Sequence, residues 1–170
     1  MTPTDVLIAE AESAYAVTAR LMHRVDDSEL AWRPPLGRDW MTLGQLLLHC
    51  SCFACGKAIC GFVRGDWGIA GGENADHVPP AEALPSVASR DEALAFLECD
   101  RALTMACLRE AGTLQSLFAP VTAPWGGAPV PLYRQLLRMI AHLVQHKGQL
   151  YYYLKLMGKD VSTPDLWGEE

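Results

Sequence analysis

Residues 131–158, PLYRQLLRMIAHLVQHKGQLYYYLKLMG, predict one long and largely apolar helix. Proline suits the first turn of a helix, and glycine is common just after the last turn. At about 100° per residue, this helix places His142, His146, Gln149 and Tyr153 on one stripe. The two histidines either pack in a protein core or bind a metal ion.

The spacing of His142 and His146 suits a shared metal ion. Imidazoles at positions i and i+4 reach one cation in metalloprotease helices, although Leu143 replaces the glutamate of the HExxH motif here. Zinc needs at least a third protein ligand, and His49 is the candidate because it lies in the middle of another strongly apolar segment. A single histidine on an apolar helix is more often a hydrogen-bonded core residue. Three mid-helix histidines, two of them at ligand spacing, favour a metal site.

Three further segments have helical periodicity and begin or end with capping signals. Hydroxyl caps precede the first three helices, and glycines follow the last two. The caps are Thr2, Thr42 and Ser89, and the terminal glycines are Gly112 and Gly158. The predicted helices cover residues 2–25, 42–62, 89–112 and 131–158. This pattern predicts an all-α four-helix bundle in one domain spanning residues 1–170.

The long segment between the second and third helices has no periodicity. Residues 64–88 are rich in glycine and proline, and a loop of this length in a compact domain is often functional. We expect it to cover the open face of the metal site or to contribute to a dimer contact, with Trp67 as an apolar anchor.

Two shorter segments complete the prediction. Gly126 and Gly127 predict a tight turn and a rudimentary hairpin before the last helix. The C-terminal residues 160–170 are predicted to form a loop in which Trp167 packs back on the bundle.

The charge balance argues against nucleic acid as a partner. The net charge is −6, and the 14 basic residues are scattered rather than clustered as phosphate binding requires. A small or neutral ligand fits better. The N-terminal sequence does not resemble a secretory signal, and we expect no apolar stretch near the roughly 20 residues that span a bilayer. We therefore expect a cytoplasmic protein without a membrane partner.

Four of the six cysteines are crowded into the second helix. Without an export signal, we expect reduced thiols there rather than disulfides. Cys52 lies near His49 on the helical face, which makes it a candidate fourth ligand or redox partner. The alternative is a small buried apolar side chain, the common role of a free cysteine.

Three polar residues are candidates for contacts with a substrate or with the metal-binding histidines. Gln45 lies one turn before His49, and Gln149 and Tyr153 lie one and two turns after His146. Packing in the bundle is the alternative role for Gln149 and Tyr153.

Three segments of this chain resemble the DinB-like metalloprotein superfamily. They are MTLGQLLLHC at residues 41–50, PWGGAPVPLYRQLL at 124–137 and AHLVQHKGQLYYYLKLMG at 141–158. The resemblance implies a four-helix bundle with a crossover connection, in which His49, His142 and His146 bind zinc or nickel. It also implies frequent homodimers. Some relatives transfer or isomerise with a low-molecular-weight thiol cofactor, whereas many have no known reaction.

A three-histidine site is chemically suited to more than one reaction. Three neutral ligands leave a divalent ion its full charge and an open position, as in catalytic sites. Water bound there ionises near pH 7, and a bound thiol loses its proton. Thiol transfer to a small electrophile, metal-dependent hydrolysis and a non-catalytic, stress-associated metal-binding module all remain open at this point.

Overall fold

Helices make up nearly all regular structure of this chain. The computed structural model describes residues 1–67, 80–113 and 117–168. The helices are α1 Pro3–Met22, α2 Leu43–Cys52, α3 Gly56–Arg64, α4 Arg90–Thr113, α5 Leu132–Leu156 and α6 Thr163–Trp167. Short 3-10 turns occur at Asp27–Glu29 and Ala81–Ala83, and the two-residue strands are β1 Pro120–Val121 and β2 Val130–Pro131.

Four helical columns form a bundle in which α2 and α3 together make one column. α1 packs against α4 and α5, and the α2–α3 column packs against the same two helices. α1 and the α2–α3 column therefore occupy diagonal positions, so the chain crosses the bundle between α1 and α2. The predicted all-α four-helix bundle with a crossover connection is confirmed.

The predicted hydroxyl caps begin α1 and α4. Thr2 Oγ1 accepts a hydrogen bond from the Asp5 amide at 3.2 Å, and the Asp5 carboxylate accepts one from the Thr2 amide at 2.7 Å. Ser89 Oγ accepts from the Glu92 amide at 3.1 Å. α1 ends at Met22, slightly earlier than predicted.

The predicted second helix is wrong in one respect, because it breaks near its middle. The amides of Phe53 and Ala54 both donate to the His49 carbonyl, at 3.1 and 3.0 Å, so the regular hydrogen-bond ladder is interrupted. α3 then begins where the Gly56 amide donates to the Asp100 carboxylate at 3.0 Å. The apolar pattern does not reveal this break, because the carboxylate that caps α3 belongs to α4.

Two glycines allow close contacts between helices. A Cβ atom added at Gly56 would meet the Asp100 carboxylate, and one at Gly112 would lie 2.8 Å from Thr4 Oγ1. The prediction that Gly112 ends its helix is wrong, since α4 continues through it to Thr113. This glycine allows α4 to pack closely on α1 rather than ending α4.

The α2–α3 segment is more apolar than we expected. Leu43–Arg64, at 22 residues, passes a length and composition test for a membrane-crossing helix, which corrects the expectation that no such stretch exists. More than half of its most apolar window is buried inside the bundle. Packing against α4 and α5 accounts for this apolar character.

The predicted hairpin precedes α5. β1 pairs antiparallel with β2, with Val121 opposite Val130. Gly126 and Gly127 have φ angles of 91° and 101°, a conformation that favours glycine. The Gly126 amide donates to the Ala123 carbonyl at 2.9 Å, so the predicted hairpin is present, but its hydrogen-bonded turn lies just before the two glycines instead of at them.

The C-terminal tail differs from its prediction. Residues 163–167 form α6 rather than a loop, because the Asp165 carboxylate accepts a hydrogen bond from the Ser162 amide at 2.7 Å and caps the helix. Trp167 is 65% exposed, whereas Leu166 packs against the core. The prediction that Trp167 packs back on the bundle is therefore wrong.

Only the ends of the predicted 64–88 loop belong to the described part of the chain, since residues 68–79 lie outside it. At the start of the loop, Trp67 packs against the rings of Phe62 and Trp125, with centroid separations of 4.9 and 5.9 Å. The role of the 64–88 loop as a cover for the metal site or as a dimer contact stays a prediction.

Candidate metal centre

Three imidazoles meet between α2 and α5. His49 belongs to α2, and His142 and His146 lie on consecutive turns of α5. Their candidate ligand atoms all lie within 4.8 Å of one another. The Nε2 atom of His142 is 2.9 Å from Nε2 of His146 and 3.4 Å from Nε2 of His49. The structure thus brings together the three histidines that the sequence singles out.

The break between α2 and α3 orients His142. The Nδ1 atom of His142 lies 3.0 Å from the carbonyl oxygen of Ala54, within the break. A carbonyl oxygen only accepts hydrogen bonds, so Nδ1 carries the proton. The Nε2 atom therefore faces the other histidines with its lone pair, the arrangement that main-chain carbonyls impose on metal-binding histidines.

A chain of hydrogen bonds orients His146. The Tyr153 hydroxyl donates to the Met41 carbonyl at 3.0 Å, so it accepts from the Gln149 side-chain amide at 3.2 Å. Gln149 Oε1 consequently faces Nδ1 of His146, at 3.0 Å, and accepts a hydrogen bond from it. The Met41 carbonyl can only accept, and this fixes which group donates in each of these hydrogen bonds. Nδ1 of His146 therefore carries the proton, and its Nε2 also presents a lone pair.

The electrostatics of the cluster favour a metal cation over a proton. The lone pairs of His142 and His146 face each other at 2.9 Å, which is unfavourable unless a cation lies between them. Burial lowers the pKa of both residues. Burial, followed by the charges of the two other imidazoles, lowers the pKa of His49 to about 4. At neutral pH all three imidazoles are therefore available as neutral ligands.

Two of the three nitrogen separations fit a divalent ion. With metal–nitrogen distances of about 2.0–2.1 Å, two ligands lie about 2.9 Å apart at a right angle and about 3.4 Å apart at the tetrahedral angle. Both separations occur here. Imidazole suits zinc and nickel, and a small hollow of about 10 Å³ adjoins His49, room for roughly one water molecule.

Gln45 has a different role from the predicted one. Its side-chain amide donates to the carbonyls of Ala81 and Leu84 at 2.8 and 2.7 Å, and its Oε1 accepts from the Thr42 amide at 2.8 Å. Leu84 lines the hollow beside His49. Because both ends of the amide are engaged, Gln45 holds this segment in place rather than presenting a group to a substrate.

The structure does not place Cys52 as a fourth ligand. Its thiol is not part of the histidine cluster found in the described residues. Burial raises the pKa of this thiol, and the charged or ionisable groups that act on it are Asp100, Lys57, Cys99 and Glu92. Cys52 therefore faces α4. The helical position of Cys52 relative to His49 does not determine which neighbouring helix its side chain meets.

The sequence prediction missed two main-chain carbonyls that contact the centre and one carboxylate, Asp100, that caps α3. The carbonyls of Ala54 and Met41 leave no signal in the residue sequence. Asp100 does leave a signal in the sequence, because Asp100 and Thr104 are polar residues on the otherwise apolar, buried stripe of α4. They are 6% and 0% exposed, respectively.

Replacing Gln149 with leucine should weaken metal binding about tenfold to a hundredfold, because the hydrogen bond that orients His146 is lost. Competition with a chromophoric chelator measures the affinity. Gln145→Leu is the matched control, since Gln145 is exposed one turn earlier on α5. Equal affinities for Gln149→Leu and the control would contradict the orienting role.

A family model for the DinB superfamily matches residues 10–150, most of this chain. A candidate DinB-family protein from Exiguobacterium sibiricum 255-15 has a similar structure, with 20% identity, 97% of this chain and 98% of that chain covered, and a TM-score of 0.65. A DinB-like protein from Bacillus cereus ATCC 10987 has 18% identity, coverage of 92% and 93%, and a TM-score of 0.60.

A more distant likeness is to a mycothiol-dependent maleylpyruvate isomerase, at 21% identity and a TM-score of 0.49. It covers 88% of this chain and 61% of that chain. No curated protein matches the sequence significantly. At these identities the solved structures show the fold, and the family assignment comes from the match over residues 10–150.

Proposed function

This chain belongs to the DinB superfamily, and we propose that it is a metal-dependent enzyme that transfers a small thiol to an electrophile at the three-histidine centre. The proposed cofactors are a divalent ion, zinc or nickel, and a low-molecular-weight thiol. His49, His142 and His146 would hold the ion. Three neutral ligands would leave the ion its full charge, so it would lower the pKa of a bound thiol.

Among the described residues, the surroundings of the three histidines favour thiol transfer over hydrolysis. Within the described residues, no carboxylate belongs to the cluster, and none acts on the pKa of His49, His142 or His146. Leu143, fully buried, occupies the position of the metalloprotease glutamate. Hydrolysis benefits from such a base to activate water, whereas a thiol ionises more readily than water and needs only the cation.

The residues of the chain orient the metal-binding nitrogens. Ala54 and Gln149 keep the Nε2 atoms of His142 and His146 directed at one point. In the proposed reaction the thiolate sulfur forms a bond to carbon of the electrophile, and the leaving group departs with the electron pair of its bond. The proton of the thiol passes to solvent, so the reaction needs neither oxidant nor reductant.

A thiol-consumption assay tests this function. We expect metal-loaded protein to accelerate the reaction of glutathione, mycothiol or bacillithiol with a chloro-substituted aromatic electrophile, and His146→Ala to lose this acceleration. Loss of free thiol is followed with a chromogenic disulfide. Ester or amide cleavage without thiol transfer would indicate a hydrolase instead. No acceleration of either reaction would leave a non-catalytic metal-binding module as the better interpretation.

We also propose that the chain forms a homodimer through α5. Leu137, Val144 and Tyr152 are 45%, 41% and 61% exposed, and their spacing of seven and eight residues places them on one side of the helix. Such a stripe of exposed apolar side chains is typical of a surface that a second copy covers. The mass in solution from light scattering measures this directly.

The cysteines support a cytoplasmic location, which we propose as well. All six cysteines are free, and four of them are buried in the bundle. Reduced thiols are the ordinary state in the cytoplasm.

A further inference from the structure

The segment between α1 and α2 surrounds a cavity. The cavity has a volume of about 520 Å³ and is lined by residues of the stretch RPPLGRDW. Arg33 and Arg38 are among the lining residues and are exposed, as is Trp40, at 39%. None of the functions considered so far uses these side chains.

The shape of this cavity is maintained by contacts within the segment. Trp40 Nε1 donates a hydrogen bond to the Leu36 carbonyl at 2.8 Å. The indole lies against Gly37, whose φ angle is 97°, and a Cβ atom added there would lie 2.5 Å from Nε1. Asp39 has a φ angle of 61°, an uncommon conformation for a residue with a side chain. Strained backbone of this kind is concentrated at binding and active sites.

The charge of the cavity is suited to an anion. Its charged lining residues are Arg33, Arg38 and Asp39, two basic residues and one acidic residue. Among residues 1–67, 80–113 and 117–168, the structure records no ion pair for Arg33 or Arg38. The whole chain carries a net charge of −6, so two neighbouring arginines without an ion pair form a local exception. The planar guanidinium group matches a carboxylate with two parallel hydrogen bonds.

The segment that lines the cavity contacts Tyr153, which belongs to the series of hydrogen bonds that orients His146. The rings of Trp32 and Trp40, at the two ends of the segment, pack edge-on against Tyr153, with centroid separations of 5.3 and 6.1 Å. The Tyr153 hydroxyl donates to the Met41 carbonyl, the residue that follows Trp40. Tyr153 therefore contacts the cavity segment on one side and Gln149, the partner of His146, on the other.

We propose that Arg33, Arg38 and Trp40 form a binding site for the carboxylate end of a small organic acid that reacts at the three-histidine centre. The guanidinium groups bind the carboxylate, and the indole covers the carbon chain. That the bound acid reacts at the centre rests on the proposed function, whereas binding of a carboxylate does not. The carboxylate belongs either to the thiol or to the electrophile, and both sources share the same chemistry.

Three ligands separate the contributions of carboxylate and thiol. Succinate carries carboxylates without a thiol, glutathione carries both, and cysteamine carries a thiol without a carboxylate. Calorimetric titration of metal-stripped protein should detect succinate and glutathione, and tryptophan fluorescence provides a second signal through Trp40. The variant Arg33→Gln/Arg38→Gln should bind both acids about tenfold or more weakly, since each loses charged hydrogen bonds.

The control variant Arg109→Gln/Arg134→Gln removes the same charge at two exposed arginines on α4 and α5. Circular dichroism verifies that each variant is folded. Equal succinate affinity in the wild type and the Arg33→Gln/Arg38→Gln variant would overturn the proposal, as would an equal loss of affinity in the control variant.

Comparison with metal-loaded protein identifies the source of the carboxylate. If metal strengthens glutathione binding much more than succinate binding, the site receives the acid group of the thiol. If metal affects the binding of both acids alike, the site binds the carboxylate of the electrophile. Either outcome supports the carboxylate site. Binding that persists in metal-stripped protein while the thiol-consumption assay fails would contradict the proposed function and leave the carboxylate site in place.

Discussion

Replacing His146 with alanine should reduce the metal content of the protein from about one divalent ion per chain to near zero. The remaining imidazoles, His49 and His142, supply only two nitrogen ligands. Structural zinc sites contribute about 10–16 kcal/mol from four ligands, so one ligand accounts for about 3 kcal/mol, or roughly a hundredfold in affinity. Loss of the ligand also leaves Gln149 Oε1 without the hydrogen bond from His146.

Elemental analysis of protein purified without a nickel column or a chelator measures this effect. His23→Ala is the control, because His23 is an exposed residue that caps the end of α1. We expect the control to retain its metal. Equal metal content in His146→Ala and the wild type would show that the three imidazoles do not bind one ion.

The local part of the histidine centre was predictable from residue spacing. A helix of 3.6 residues per turn brings positions 142 and 146 together, and it places Gln149 and Tyr153 on the same stripe, so the hydrogen-bonded chain follows from one helix. The convergence of His49 on the pair depends on how α2 packs against α5. Here the mid-helix position of His49 in an apolar segment was sufficient.

The main-chain partners of the centre were not predictable. Residue type carries no information on which main-chain carbonyl is free to accept from a side chain, so Ala54 and Met41 could not be identified as partners of His142 and Tyr153. The contact with Ala54 exists because the second predicted helix breaks. The break depends on the Asp100 carboxylate, which accepts a hydrogen bond from the Gly56 amide although the two residues are 44 positions apart in sequence. Interactions of this range require the packed structure.

The same limitation explains the errors for Cys52 and Gly112. A helical projection of an unbroken second helix assigns Cys52 to the side of His49, but it does not show that α4 packs there. A glycine near the end of an apolar stripe indicates either a helix end or a close helix contact. At Gly112 the contact with Thr4 decides in favour of packing.

Among the buried polar residues, Asp100 is the one whose replacement we expect to affect stability most. The carboxylate is 6% exposed and accepts hydrogen bonds from the Gly56 amide at 3.0 Å and the Tyr15 hydroxyl at 2.6 Å. Burial raises the pKa of Asp100, so its hydrogen bonds offset only part of the cost of burying the charge. Asp100→Ala should nevertheless lower the free energy of unfolding by about 2–3 kcal/mol, because it leaves the buried Gly56 amide without its acceptor and the Tyr15 hydroxyl with only Thr104 Oγ1, at 2.8 Å.

Urea unfolding of three variants distinguishes this explanation from a general loss of packing. Asp100→Asn retains a side-chain oxygen for the Gly56 amide and should lose less stability than Asp100→Ala. Tyr15→Phe removes one hydroxyl and should cost about 1 kcal/mol. Combined with Asp100→Ala, it should add less than this amount, because the two residues share a hydrogen bond. Fully additive losses would contradict the shared network.

The Asp100 variants also test whether the break between α2 and α3 supports the metal centre. The carboxylate holds Gly56, two residues after Ala54, whose carbonyl orients His142. Metal affinity should therefore fall in Asp100→Ala and remain closer to wild type in Asp100→Asn, measured well below the unfolding transition. Asp91→Ala, at an exposed acid at the start of α4, is the control. A destabilised Asp100→Ala with unchanged metal affinity would confine Asp100 to a role in stability, with His142 oriented by the remaining contacts of α5.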